Sequence, residues 1–350
     1  MKRTVMIGER EVGDGRPCFI IAEAGVNHNG DVDLARDLID AASAAGADAV
    51  KFQTFSTGEL VIEASEKARY QKETTGDCES QYEMLTKLEL PPSAFRELKD
   101  HADRRGIPFL STPFDQGSVD LLEEIGVPAY KIASGELTNH PLLVHVAATR
   151  RPVILSTGMA DLSEIDEALR VLRGGGSGGI LLLHAVSEYP PTAADLNLRA
   201  IGTLREAFGA PVGFSDHTPG VWAPVAAVAM GATVLEKHLT LDHSMPGPDH
   251  RASLEPGEFR DMVDAIRFTE AAMGDGIKRP TAGEIEMRTI ARKSLVAAVD
   301  IPEGTDISPG MLAAKRPGTG ISPRLLGQVS GRRSLRRIPK NTLIEWDMIE

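Results

Sequence analysis

The stretch CFIIAEAGVNHNGDVDLARDLIDAASAAGADAVKFQ, residues 18–53, holds the unit from which the fold is read. It opens with an apolar run, Cys18–Ala22, too uniformly apolar to have one wet face. Leu34, Leu38, Ile39 and Ala42 then recur at the 3.6-residue period of a helix with one buried side. Gly46 ends that helix, because glycine accepts the left-handed backbone a helix terminus needs. A second apolar run, Ala49–Gln53, follows at once. Strand, helix, glycine, strand is the pattern of a parallel βαβ unit.

The unit recurs along the chain. Further strands are expected at Pro108–Ser111, Ala129–Ala133, Val153–Ser156, Ile180–His184, Val212–Ser215 and Thr233–His238, eight in all. Helical stripes lie between them, the cleanest being Ile165, Ala168, Leu169 and Leu172, and Gly106, Gly126, Gly209 and Gly231 again precede strands. Eight units over about 270 residues predict a (β/α)8 TIM barrel rather than a doubly wound sheet. Residues 56–90 form an excursion after the second strand, at the end where such barrels carry their chemistry.

A chain of 350 residues exceeds one barrel, at roughly 100–200 residues per domain. Residues 1–275 are assigned to the barrel, the polar and aperiodic 276–291 to a linker, and 292–350 to a small β-like module. Charge divides along the same boundary. The chain carries a net −12, yet residues 292–350 hold ten bases and six acids, a net +4, which leaves −16 on the rest. The acidic total argues against a nucleic-acid coat, and Arg332, Arg333, Arg336 and Arg337 lack the interleaved aromatics that bind bases. Cys18 and Cys78 make no disulfide framework. Val5–Gly8 is too short for a signal-peptide core, and Pro219, Gly220 and Pro224 break the uncharged run His217–Leu235, so no membrane span and a cytoplasmic location are expected.

Nearly every expected strand ends in polar residues that a buried strand would not choose for stability. They are Glu23; Lys51 and Gln53; Ser111 and Thr112; Lys131, Ser134 and Glu136; Ser156 and Thr157; His184, Ser187 and Tyr189; Ser215 and His217; and Glu236, Lys237 and His238. In a closed barrel these ends converge on one face. Lys51, Lys131, Thr112, Ser134, Ser156 and Ser215 suit phosphate or carboxylate. His217 and His238, on adjacent strands, suit one octahedral ion with open positions, which favours Mn²⁺ or Mg²⁺ over structural zinc. Glu23 stands one strand further round, placed to act as acid or base beside such an ion. The run GGGSGG, 174–179, lacks the phosphate-loop lysine and reads as a helix-to-strand loop.

At this point the chain resembles the sialic acid synthase family, which condenses phosphoenolpyruvate with an N-acetylated hexose. The motifs that carry the resemblance are IAEAGVNHNG (21–30), VKFQTF (50–55), STPFD (111–115), YKIASGELTN (130–139), LSTGM (155–159), LLHAVSEYP (182–190), FSDHTPG (214–220), EKHLTLDHSMPGPDH (236–250) and KRPGTGI (315–321). The resemblance implies a TIM barrel followed by an antifreeze-like SAF domain, in a homodimer whose tail domain caps the partner barrel. It implies metal ligands at His217 and His238, with Glu23 as acid or base. Phosphoenolpyruvate would meet Lys51, Thr112, Lys131, Ser134, Ser156, Ser187 and Ser215. The sugar would meet Gln53, Glu136, Tyr189, Asp249 and, from the tail, Arg316.

The chain departs from the family at Ala185-Val186, where many members have Cys-Thr, and at Ser187, where some have Asn. The expected activity is a phosphoenolpyruvate-dependent, aldol-type transferase with N-acetylmannosamine as the first choice of acceptor. The alternative acceptor is a 2,4-diacetamido-6-deoxyhexose, giving N,N'-diacetyllegionaminate. A metal-dependent aldolase or 3-deoxy-ulosonate phosphate synthase leaves the tail unexplained, and a non-catalytic carbohydrate-binding protein leaves the charged set unexplained.

Overall fold

The computed structural model describes residues 3–350, which form two compact units, one ending at Gly274 and the other spanning Asp275–Glu350. The first unit begins with an antiparallel hairpin, β1 (Thr4–Ile7) and β2 (Arg10–Gly13), that the sequence pattern did not suggest. Eight parallel strands follow: β3 (Phe19–Gly25), β4 (Ala49–Thr54), β5 (Phe109–Pro113), β6 (Tyr130–Ile132), β7 (Val153–Ser156), β8 (Ile180–Ala185), β9 (Val212–Asp216) and β10 (Val234–His238). They close into a barrel in chain order, with β10 paired to β3. The expected eight strands are therefore present, with only their ends displaced.

Alternation along each strand creates two cores. Side chains pointing outward, such as Ile20, Ala22, Val50 and Phe52, pack beneath the surrounding helices. Those pointing inward at the N-terminal ends, including Phe19, Ile21, Ala49, Leu110, Ala129 and Val234, meet Val5, Ile7 and Val12 of the hairpin. The hairpin thus closes that end of the interior with apolar contact. The helix Val32–Ala44 shows how the outer layer is set. Asp31 accepts from the Asp33 and Leu34 amides at its start, and Ala35, Leu38, Ile39 and Ala42 form its buried side. Gly106, Gly126 and Gly209 stop three other helices in left-handed backbone, at φ 70°, 76° and 63°.

The excursion 56–90 carries three short helices, Thr57–Leu60, Arg69–Thr75 and Gln81–Leu88. One of its three lysines, Lys67, is buried and donates to Thr75 Oγ1 at 2.8 Å, the Gly76 carbonyl at 3.0 Å and Glu79 Oε1 at 3.0 Å. Val26, Phe55, Met84 and Leu88 form a small apolar cluster beneath it.

In the second unit, the segment 276–291 includes a helix, Ala282–Ala291, started by a Thr281–Glu284 capping box. That helix presents no buried residue, so it leaves no apolar stripe in the sequence. The antiparallel pair β11 (Ser294–Ala297) and β12 (Leu312–Lys315) follows, around a core that includes Leu295, Ile301, Ile307, Ile321, Ile338 and Ile344. No helix among the described residues is long and apolar enough to cross a membrane.

Candidate active site

The alternation that fills one end of the barrel with apolar groups builds a polar cavity at the other. Two residues beyond Ile21 stands Glu23; beyond Ala49, Lys51 and Gln53; beyond Leu110, Thr112; beyond Ala129, Lys131. Ser156, Ser215, His217, Glu236 and His238 continue the same inward set. Together they line a cavity of about 500 Å³ at the C-terminal ends of the strands.

Its floor is a cluster of four buried charges. Glu23 Oε2 lies 2.6 Å from Lys51 Nζ, and Glu236 Oε2 approaches the same ammonium at 3.7 Å. Lys131 Nζ is 3.6 Å from Glu236 Oε1, and Ser215 donates to that oxygen at 2.8 Å. Lys51 also donates to Thr112 Oγ1 at 2.9 Å, and Gln53 donates to Glu23 Oε1 at 3.3 Å. Burial pushes Glu23 up to about 7, only partly opposed by Lys51. Glu236 suffers the same burial, but Lys131 and Lys51 outweigh it and hold its carboxyl below the usual range. Burial lowers Lys131 to about 8, whereas the two carboxylates raise Lys51 despite its burial. Two neighbouring carboxyls are thereby separated into one that exchanges a proton near neutrality and one that stays ionised.

Above this floor the rings of His217 and His238 stand 5.6 Å apart between centroids. Burial lowers the pKa of both, so both are neutral at physiological pH. His217 donates from Nδ1 to the Val186 carbonyl at 2.8 Å, which leaves Nε2 as a free lone pair. His238 Nδ1 is buried with no hydrogen-bond partner; Asp249 Oδ2 is 3.9 Å away. Neutral imidazoles with a carbonyl fixing one tautomer are a donor set suited to a divalent cation. No group of three or more His, Cys, Asp or Glu side chains among the described residues is arranged to hold a metal; an ion held by these two rings would depend on water or substrate oxygen for its other ligands.

A second polar surface flanks the lysines. Ser134 Oγ accepts from the Gly158 amide at 2.9 Å, and a Cβ at Gly158 would collide with both the Ser134 and Ser187 hydroxyls. The absent side chain leaves room for these two hydroxyls, which line the cavity together with that of Ser156, a surface suited to an anion. On the opposite side the excursion lays Tyr70 on Tyr189, with ring centroids 4.9 Å apart, and Tyr189 lies over His217 at 4.1 Å.

A model of the NeuB family matches residues 38–278, and a model of the SAF domain matches 292–350. The chain belongs to the NeuB family. An N,N'-diacetyllegionaminic acid synthase of Legionella pneumophila is 45% identical over 98% of both chains. That of Campylobacter jejuni is 49% identical over 93% of this chain and 98% of its own. Among solved structures, the N-acetylneuraminic acid synthetase of Leptospira borgpetersenii superposes with a TM-score of 0.73 at 37% identity, covering 82% of this chain and 95% of that one. The family membership places the chain among phosphoenolpyruvate-dependent, carbon–carbon bond-forming synthases of nonulosonic acids, on a TIM barrel with a SAF domain.

Of the residues expected in a NeuB-type site, Glu23, Lys51, Gln53, Thr112, Lys131, Ser134, Ser156, Ser187, Tyr189, Ser215, His217, His238 and Asp249 all line the one cavity. Glu136 does not line it; its carboxylate accepts from Asn139 Nδ2 at 2.7 Å in a short 3-10 helix, Ser134–Glu136. Arg316 lies in the second unit, where its Nε donates to the Ala291 carbonyl at 3.0 Å. Four other polar residues at strand ends do not share the inward face. His184 turns out to the Leu196 carbonyl at 2.7 Å, Ser111 bonds Thr54, Thr157 bonds the Leu183 carbonyl, and Lys237 pairs with Asp216 at 2.5 Å. Sequence reasoning gave no role to Glu236, although its two-residue spacing from His238 puts both on one face. Tyr70 was missed for a different reason: it sits in an excursion with no barrel periodicity to place it.

Proposed function

We propose that this protein condenses phosphoenolpyruvate with a 2,4-diacetamido-6-deoxyhexose, in its open aldehyde form, and water to give N,N'-diacetyllegionaminate and phosphate. The observation that carries the reaction class is the meeting of Lys51, Lys131, Glu23, Glu236, His217 and His238 in one cavity. The choice of sugar is supported by two relatives named for that product, each more similar to this chain than the solved N-acetylneuraminic acid synthetase. N-acetylmannosamine thereby gives way to the diacetamido sugar as the preferred acceptor.

Lys51, Lys131 and the hydroxyls of Thr112, Ser134, Ser156, Ser187 and Ser215 hold the carboxylate and phosphate of phosphoenolpyruvate, so that its carbon 3 faces the aldehyde carbon. His217 and His238 would hold a Mn²⁺ or Mg²⁺ ion, which when bound would supply Lewis-acid polarisation at the aldehyde. Glu23 takes the proton of the water that adds to carbon 2, a role suited to a carboxyl with a pKa of about 7. Gln53, Tyr189 and Asp249, which line the same cavity, orient the sugar. The same reading carries a cytoplasmic homodimer in which Arg316, exposed on the second unit, reaches the partner's sugar at its N-acetyl group. Phosphate release with each acceptor tested alone decides the sugar. The diacetamido sugar should give a kcat/KM at least about 10-fold above N-acetylmannosamine, and the reverse order would overturn the choice.

A further inference from the structure

The last two barrel strands carry a charged pair on their outer side, level with the imidazole pair on the inner side. Asp216 of β9 and Lys237 of β10 are register partners, and the next residue along each strand is His217 or His238. Phe214 and Leu235, two residues earlier on the same outer faces, belong to the apolar layer beneath the helices. Asp216 and Lys237 continue into that layer as an ion pair 2.5 Å apart, with neither side chain exposed. Apolar residues of similar size would hold the two strands together about as well, because desolvation offsets the attraction of a buried pair. Stability alone therefore does not account for charges at these two positions.

Their use lies one residue further on. β9 pairs with β10 as far as Asp216 and with β8 only as far as Ser215, so His217 stands beyond the ladder on both sides. The buried charges fix its neighbours instead. Lys237 donates to Asp216 Oδ2 and to the Thr218 carbonyl. Asp216 accepts from the Thr218 amide and from Thr218 Oγ1, each at 3.0 Å. His217 is thus spanned by a turn that one lysine ties at both ends, and that lysine is the residue before His238. We infer that Asp216 and Lys237 are positioning residues, which set the His217 ring against the His238 ring at the 5.6 Å spacing of a divalent-cation site. The inference rests on the proposed use of an ion by these two rings.

The test measures Mn²⁺ binding directly, from the electron paramagnetic resonance signal of the free ion, with folding followed by urea unfolding. Lys237→Met alone leaves a buried carboxylate unpaired, so the informative variant combines it with Asp216→Asn. Asparagine still accepts from the Thr218 amide, and no charge is left buried. This double variant should unfold near the wild-type urea midpoint yet bind Mn²⁺ about 10–100-fold more weakly. Its KM for phosphoenolpyruvate should be unaltered at saturating Mn²⁺, because Lys51 and Lys131 stand on other strands. Thr218→Val removes a single donor to Asp216 and should weaken Mn²⁺ binding by about 3-fold. Unchanged Mn²⁺ affinity in the double variant overturns the inference; if that variant does not fold, unchanged affinity in Thr218→Val does so. A weaker affinity accompanied by an equally raised KM for phosphoenolpyruvate also overturns it, since the whole barrel end is then disturbed. A wild type that takes up no Mn²⁺, or whose uptake survives His217→Ala, refutes the proposed ion and the inference together. Uptake lost in His217→Ala but kept in the double variant refutes the inference alone.

Discussion

The Glu23 carboxylate lies 2.6 Å from the Lys51 ammonium, with 2% and 3% of the two side chains exposed. Glu236 reaches the same ammonium from another strand, and Lys131 completes the cluster. A buried pair of this kind is a poor source of net stability, because desolvation offsets attraction. What it does provide is a carboxyl whose proton is exchangeable at neutral pH beside fixed positive charge.

Glu23→Gln keeps the shape of that carboxyl and removes its proton chemistry. Phosphate release should fall by about 10²–10⁴-fold in kcat with little change in KM for phosphoenolpyruvate. Since Glu23 acts as a base with a pKa of about 7, wild-type activity should rise as pH climbs through that value, and the variant should lack this limb. A limb that persists in the variant would assign it to another group.

Much of this site is legible in the sequence. Apolar runs with glycine-punctuated helices mark a parallel barrel, and a barrel gathers its strand ends on one face. A list of strand ends does not separate inward from outward: period-two alternation puts Glu236 with His238 and sends Lys237, His184 and Ser111 outward. The hairpin at Thr4–Gly13 and the helix Ala282–Ala291 gave weak signals, one too short for a clear pattern and the other lacking a buried stripe. Tyr70 acquires its place only through tertiary contact with Tyr189.

Gly158→Ala tests the hydroxyl surface. The new methyl collides with the Ser134 and Ser187 hydroxyls, so at least one must shift from its present position. KM for phosphoenolpyruvate should rise about 10-fold or more, with the sugar's KM little affected, as expected for one lost charge-assisted contact. Steady-state titration of each substrate checks this, and a change confined to the sugar would contradict it.

His28 gives a test of stability away from the chemistry. Burial lowers its pKa from 6.5 to about 4, so the unfolded chain binds the proton more readily than the folded one. The stability gained from keeping this ring neutral is present above pH 6.5 and is lost as pH falls toward 4. Across that window the loss amounts to about 3 kcal/mol for this group. Relative to His28→Gln, which does not titrate, the wild type should lose that much in urea unfolding between pH 7 and pH 4. A constant difference between the two proteins would show that His28 is not held neutral.

Chelation tests the imidazole pair. Phosphate release should stop after treatment with EDTA and return with Mn²⁺ or Mg²⁺. His217→Ala and His238→Ala should stay inactive with added metal while keeping the wild-type far-ultraviolet circular dichroism. Full activity of the chelated enzyme would remove the metal from the account.

The most direct test of the central claim is a competition followed by mass spectrometry. Phosphoenolpyruvate is supplied with equal amounts of the 2,4-diacetamido-6-deoxyhexose and N-acetylmannosamine, and products and phosphate are counted together. The account predicts N,N'-diacetyllegionaminate as the dominant product, with one phosphate released per molecule formed. N-acetylneuraminate as the main product, or product formed without matching phosphate, would contradict it.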